Sequence, residues 1–185
     1  GMKANDLKPG MALTQDGQLF VCTKTEHVKP GKGGAFVQAK LKSMKSGNVT
    51  EKRYRSTDEI DVAILDRREM EFLYPEGDSA VFMDSETFDQ ASIPNDILGD
   101  ALLYLKPNEK LTGLHFEGNV ISVELPPVVE LEITDTPPGI KNATATNQLK
   151  EAVCETGLKT RVPPFINNGD KVRVSTETGD YQSRA

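Results

Sequence analysis

Gly34-Ala35-Phe36-Val37-Gln38-Ala39-Lys40-Leu41-Lys42-Ser43-Met44, then Lys45-Ser46-Gly47-Asn48, then Val49-Thr50-Glu51-Lys52-Arg53-Tyr54, is the stretch on which the fold turns. Val37, Ala39 and Leu41 alternate with Gln38, Lys40 and Lys42, the period-two pattern of a half-buried strand. The Gly/Asn connection that follows is typical of a hairpin, so 34–44 and 49–54 are expected to pair. Gln18–Thr25 reads as a strand before them.

The same grammar continues along the chain. Short runs of Val, Ile, Thr, Phe and Tyr are broken every 8–12 residues or so by Gly, Pro, Asn or Asp, the signature of small all-β barrels. Further strands are expected at Glu69–Tyr74, Ser79–Met83, Leu111–Phe116, Val120–Leu125, Val128–Ile133, Leu158–Val162 and Lys171–Ser175. Asp84–Gln90 is expected to make a short helical turn capped by Asp84 or Ser85, and Ile97–Leu105 is the best helix candidate. Pro126-Pro127 begins a new module. Three modules are expected: 2–64, 65–127 and 128–185.

No run of about 18 apolar residues exists, which argues against a membrane-spanning helix. Gly1-Met2-Lys3-Ala4-Asn5 has no apolar core of a signal peptide, and Gly1 ahead of Met2 reads as a residue left by expression. Cys22 and Cys154, the two cysteines, are far apart and offer neither a disulfide framework nor a zinc site. They are expected to be buried or free thiols in a cytoplasmic protein.

The net charge of −6 is unevenly spread. Residues 1–64 hold 11 Lys and Arg against 7 Asp and Glu, a net of +4; residues 65–128 hold 4 against 13, a net of −9; residues 129–185 net −1. A basic head on an acidic body suits a chain that touches nucleic acid with one end, although chance clustering on a solvated surface would look similar.

Catalytic constellations are missing. His27 and His115, the two histidines, lie in different modules and neither sits in a metal-binding spacing. There is no G-x-S-x-G elbow, and Gly31-Lys32-Gly33-Gly34 has the wrong length for a phosphate loop and no Ser or Thr after it. No metal, cofactor or catalytic residue is expected.

One segment stands apart: Lys29-Pro30-Gly31-Lys32-Gly33-Gly34, between two strands. Pro30 fixes φ, and the glycines permit conformations closed to other residues. A lysine between two glycines has no neighbouring side chain to pack on, so its ammonium projects from the tip. The residues alone leave two readings open: a plain turn with a solvated lysine, or a tip able to enter a narrow site lined by RNA. Behind it stand Lys40, Lys42, Lys45, Lys52, Arg53 and Arg55. Lys40 and Lys42 share one strand face, and Arg53 and Arg55 share a face on the next. This basic ribbon suits phosphates, or is an edge defended by lysines against aggregation.

These residues carry a resemblance. Val28-Lys29-Pro30-Gly31-Lys32-Gly33, then Ala35-Phe36, resembles the signature loop of the bacterial elongation factor P family. Tyr74, Gly77-Asp78, Phe82-Met83-Asp84, Glu86-Thr87 and Gln90 resemble its middle domain. Val129–Ile133 with Asp135-Thr136 and Pro138-Gly139 resembles its domain junction. Thr156-Gly157-Leu158, Val162-Pro163, Phe165-Ile166, Gly169-Asp170 and Val172–Val174, closing on Gly179, Tyr181 and Arg184, resemble its C-terminal signature.

The resemblance implies an SH3-like, KOW-type barrel at 2–64 followed by two OB-fold barrels at 65–127 and 128–185, arranged as an L-shaped mimic of tRNA. It implies a monomer that binds the ribosome, through rRNA and ribosomal proteins, beside the peptidyl-site tRNA. It further implies relief of stalling at consecutive prolines, and a partner enzyme that modifies Lys32. RNA contacts are implied for Lys40, Lys42, Arg53, Arg55, Lys141, Tyr181 and Arg184. Two departures stand out. The 141–150 loop has no glycine where the family is glycine-rich, and Ser175-Thr176-Glu177 costs a basic residue. Gly139-Ile140-Lys141 is also similar to an elongation factor P-like paralogue, whereas the Pro30–Gly33 tip favours the main factor. A general OB-type RNA binder would need stacking aromatics that the chain has only at Phe165 and Tyr181 in its third module. The two-domain hypusine-bearing relatives lack a third module.

Overall fold

The computed structural model describes residues 1–139 and 148–185. Its regular structure is dominated by strands in three sheets. The first sheet contains β1 (Met2–Lys3), β2 (Ala12–Gln15), β3 (Gln18–Val28), β4 (Phe36–Ser43), β5 (Val49–Arg55) and β6 (Glu59–Ala63), in the order β1-β6-β2-β3-β4-β5. The second contains β7 (Asp66–Glu76), β8 (Ser79–Asp84), β9 (Gln90–Pro94), β10 (Lys110–Phe116) and β11 (Asn119–Glu124), ordered β11-β10-β7-β8-β9. The third contains β12 (Val128–Asp135), β13 (Lys150–Cys154), β14 (Lys159–Val162), β15 (Lys171–Ser175) and β16 (Tyr181–Arg184), ordered β14-β13-β12-β15-β16. By packing, the chain divides into two compact units, residues 1–68 with 113–122 and residues 69–112 with 123–185.

In the first unit, alternation along β4 drives the fold. Val37, Ala39 and Leu41 are buried, and Ala39 and Leu41 join Ala4, Leu7, Leu13, Cys22, Tyr54 and Ile60 in one core. Lys40 faces solvent on the opposite side. A bulge in β3 between Cys22 and Lys24 shifts the register against β4, and such bulges bend a strand and sharpen its twist. The expected 34–44/49–54 hairpin forms, with Phe36 opposite Arg55 and Lys42 opposite Val49. Its turn is tied by the Ser43 N–H to the Asn48 carbonyl.

In the second unit, Phe72 and Phe82 meet with ring centroids 5.4 Å apart. β12, β13 and β15 bury Leu131, Ile133, Ala152, Cys154, Val172 and Val174 as a separate core. Tyr104 belongs to that core although it follows the second sheet's helical segment, and the Thr156 hydroxyl donates to the Leu103 carbonyl at 2.5 Å. Thr176 Oγ1 donates to the Pro126 carbonyl at 2.5 Å.

One expectation is met and one needs correction. Asp84 caps a single turn, its carboxylate accepting the Glu86 N–H at 2.8 Å and the Thr87 N–H at 3.1 Å while the Phe88 N–H donates to its carbonyl at 2.9 Å, and the turn goes no further because Phe88, at φ +65°, leaves the helical region. Ile97–Leu105 is not one helix: α1 (Asn95–Leu98) stops at Gly99, whose φ of +53° breaks the α-helical run, and a 3-10 segment, Gly99–Leu103, takes over from there. Both cysteines are buried and free. Among the described residues no helix is long and apolar enough to cross a membrane.

Candidate functional site

β3 and β4 run antiparallel up to the pair Val28–Phe36. Seven residues, 29–35, therefore connect them with no strand structure of their own. Lys29, Gly31, Lys32, Gly33 and Gly34 are all exposed, while Pro30 is half-buried at the root. Gly33 has φ +93°, a conformation that disfavours any side chain, whereas Gly31 and Gly34 lie outside that region. A Cβ at any of the three would meet nothing within 4 Å. Neither Lys29 nor Lys32 has an ion-pair or hydrogen-bond partner among the described residues, so both ammoniums are free to engage something outside the chain.

The loop is anchored at its base. The Ser56 N–H donates to the Ala35 carbonyl at 3.0 Å. His27 Nε2 bonds the Asn5 carbonyl at 2.9 Å, which makes this histidine a strut and not a ligand. His115 likewise bonds the Gly113 carbonyl, and among the described residues no cluster could hold a metal.

The register brings Lys40, Lys42, Arg53 and Arg55 onto one outer face, whereas Lys52, opposite Ala39, lies on the other and reaches over the Tyr54 ring at 5.1 Å. Arg55 stands opposite Phe36, Arg53 opposite Gln38 and Glu51 opposite Lys40, while Lys24 and Glu26 flank the same rows from β3. The ribbon is therefore mixed: Lys40 reaches Glu51 at 3.9 Å. At the end nearest the loop Arg53 and Arg55 stand together, with Glu26 in the row of Arg53 across Gln38. There Arg53 lies over the Phe36 ring, its guanidinium carbon 3.6 Å from the centroid. Sequence reading marked Arg53 and Phe36 separately. What joins them is a diagonal across two strands, legible only once the register is known.

The third-module candidates fare differently. Tyr181 packs against the third core, and burial pushes its phenol up while Arg184 draws it down. Arg184 pairs with Asp170 at 3.3 Å and sits over Phe165 at 5.6 Å. Both have structural work within the module. Lys141 lies outside the described residues, as does most of the 141–150 loop. The roots of that loop are held firmly: Lys150 Nζ donates to the Pro137 and Ile166 carbonyls at 2.5 Å each, and Asn167 Oδ1 accepts from the Gly139 N–H at 2.7 Å.

Family models match the chain in three consecutive pieces. These are the elongation factor P KOW-like domain over residues 3–60, the elongation factor P OB domain over 65–123, and the elongation factor P C-terminal domain over 129–184. The chain is 46% identical over 183 residues to elongation factor P of Acetivibrio thermocellus, covering 99% of each. It is 50% identical over 182 residues to that of Acidothermus cellulolyticus, covering 98% of this chain and 97% of that one. A solved structure titled eukaryotic translation initiation factor 5A from Methanococcus jannaschii is 23% identical, covers 66% of this chain and 92% of its own, and gives a TM-score of 0.45. An all-β chain that matches these elongation factor P domain models and, over nearly its whole length, these elongation factor P sequences is a translation elongation factor and not an enzyme. The chain belongs to the elongation factor P family.

Proposed function

We propose that the factor binds the ribosome beside the peptidyl-site tRNA, places Lys32 at the acceptor end of that tRNA, and so speeds peptide bond formation at consecutive prolines. The observation that carries this reading is the loop itself: an exposed lysine without internal partners, on a glycine tip, above an anchored base. Proline is a constrained, poor nucleophile, and a cationic side chain that holds the acceptor end in reactive geometry removes unproductive conformations. The factor supplies no acid, base or nucleophile. Lys40, Lys42, Arg53 and Arg55 contact RNA through phosphates, so binding weakens with salt.

Lys32 is also the position offered to a lysine-modifying enzyme, and its exposure meets the first requirement of that reaction. A longer modified side chain reaches further and adds donors. The working unit is a cytoplasmic monomer of three modules, 2–64, 65–127 and 128–185.

The test is a reconstituted translation system with two reporters, one carrying consecutive prolines and one without. Lys32→Ala is expected to lower the factor's stimulation of the proline reporter about tenfold or more, the equivalent of one charged hydrogen bond of about 1.5 kcal/mol. The second reporter should not change. Full stimulation by Lys32→Ala would sink the reading.

A further inference from the structure

Phe88, in the tied turn between β8 and β9, is 68% exposed and is the one exposed phenylalanine of the chain. We propose that this turn is a docking site for a basic protein segment, which lays an arginine over the Phe88 ring with the carboxylates of Glu86 and Asp89 as its counter-charges. The proposal stands apart from the ribosome-binding reading above: neither the Lys32 loop nor the basic face of the first sheet takes part in it.

Three observations carry it. The first is a bare ring. Phe36, Tyr54 and Phe165 each hold a cation of the chain's own: Arg53 at 3.6 Å from the centroid, Lys52 at 5.1 Å and Arg184 at 5.6 Å. Phe88 has no such cation and no ring partner among the described residues. The negative face of an aromatic ring attracts cations, guanidinium most often. The second is charge. Glu86 and Asp89 are exposed, and neither carboxylate has an ion-pair or hydrogen-bond partner among the described residues. Residues 65–128 net −9. Within them Arg68, Lys106 and Lys110 already face Asp66, Glu109 and Glu69, at 2.8, 3.8 and 3.7 Å. An occupant therefore has to bring its own positive charge, and a phosphate backbone is repelled. The third is presentation. Phe88 sits at φ +65°, fixed from both sides: its N–H donates to the Asp84 carbonyl, and the Asp84 N–H donates to the Asp89 carbonyl, each at 2.9 Å. A bulky side chain held in this region gives the core nothing in return, but arrives already placed for a partner. An RNA base stacked on the ring is the competing occupant.

The test is fluorescence anisotropy of the full-length factor with three labelled probes: hexa-arginine, hexa-lysine and hexauridylate. Hexa-arginine is expected to bind, and hexa-lysine to bind several-fold more weakly, because a compact ammonium stacks less well than a planar guanidinium. Phe88→Ala is expected to weaken hexa-arginine binding about fivefold, the worth of one exposed cation–π contact, while Phe88→Tyr keeps it within twofold. The double variant Glu86→Gln with Asp89→Asn should weaken binding and flatten its dependence on salt. Phe88→Gly separates docking from folding. It relieves the left-handed backbone, so it should lose the peptide as Phe88→Ala does and yet unfold at higher urea than the parent. Parental affinity in Phe88→Ala, or equal binding of the two peptides, would overturn the site. So would a lower unfolding midpoint in Phe88→Gly, which would make Phe88 a part of the fold. Hexauridylate bound more tightly than hexa-arginine and released by Phe88→Ala would give the ring to a base instead.

Discussion

Two connections in this molecule do the same topological job in opposite ways. Residues 29–35 join β3 to β4, and residues 85–89 join β8 to β9. The first has three glycines, two unpartnered lysines and an anchor only at its base. The second is tied at nearly every residue. Asp84 takes the amides of Glu86 and Thr87, the Phe88 N–H donates to the Asp84 carbonyl at 2.9 Å, and the Ser85 N–H donates to Glu69 at 3.0 Å. That network holds Phe88 at φ +65°, a left-handed conformation that a bulky side chain rarely takes. One loop is built to reach and the other to keep its shape. The lesson is that two exposed loops of similar length can differ entirely in whether their polar groups find partners within the chain.

The largest effect should come from breaking the tied turn. Asp84→Ala removes a buried acceptor and strands two amides, and is expected to cost about 2–3 kcal/mol in urea unfolding. Lys32→Ala should leave the unfolding midpoint where it was. Equal losses for the two variants would erase the distinction between the loops.

A finer test uses the glycines. Gly33→Ala forces a side chain into the left-handed region and should cost about 1 kcal/mol. Gly34→Ala meets open space at an ordinary φ and should instead stabilise by about 0.4–1 kcal/mol, by stiffening the unfolded chain. Matching signs in the two melts would mean that the loop geometry described above is wrong.

The smallest effect is a matter of pH. Burial pushes the Cys154 thiol up from 9.0 to about 11, with Glu155 adding to the shift. The unfolded thiol loses its proton first as pH rises, so the folded state binds more protons between these values. Stability should therefore fall as pH rises from 9 to about 11. Tyr104 and Tyr181 are shifted the same way, chiefly by burial, so Cys154→Ala should reduce this slope without abolishing it. A slope identical in Cys154→Ala and parent would show that the thiol contributes nothing.

Much of the fold was legible because hairpins announce themselves. Gly47-Asn48 between alternating runs placed β4 and β5 to within about two residues, and Lys171–Ser175 was read outright. Two of the strands that escaped have weak patterns of their own. β16, Tyr181-Gln182-Ser183-Arg184, has no apolar alternation; its place comes from pairing with β15. β13 follows a loop whose far end gives no turn signal. Ile97–Leu105 looked helical by hydrophobicity, but Gly99 at φ +53° interrupts it and Tyr104 leaves for a different core. At the site, Lys32 and its glycines were visible because a lysine flanked by glycines has nothing to pack on. The Arg53–Phe36 stack was not, because it depends on a cross-strand diagonal.

The departure of Tyr104 has a consequence for how this protein can be cut. Pro126-Pro127 looks in the sequence like a seam along which a gene could be split. The packing does not respect it. Tyr104, with Leu103 packed beside it, is a guest in a core whose other members come after residue 124, and its hydroxyl lies only 3.0 Å from where a Cβ on Gly179 would stand. Lys106 reaches toward Glu155 at 4.0 Å from the same side. A fragment beginning at residue 128 would be left with an aromatic-sized hole, and one ending at residue 127 would carry an orphaned tyrosine. Shuffled as heritable parts, the last two modules have to travel together.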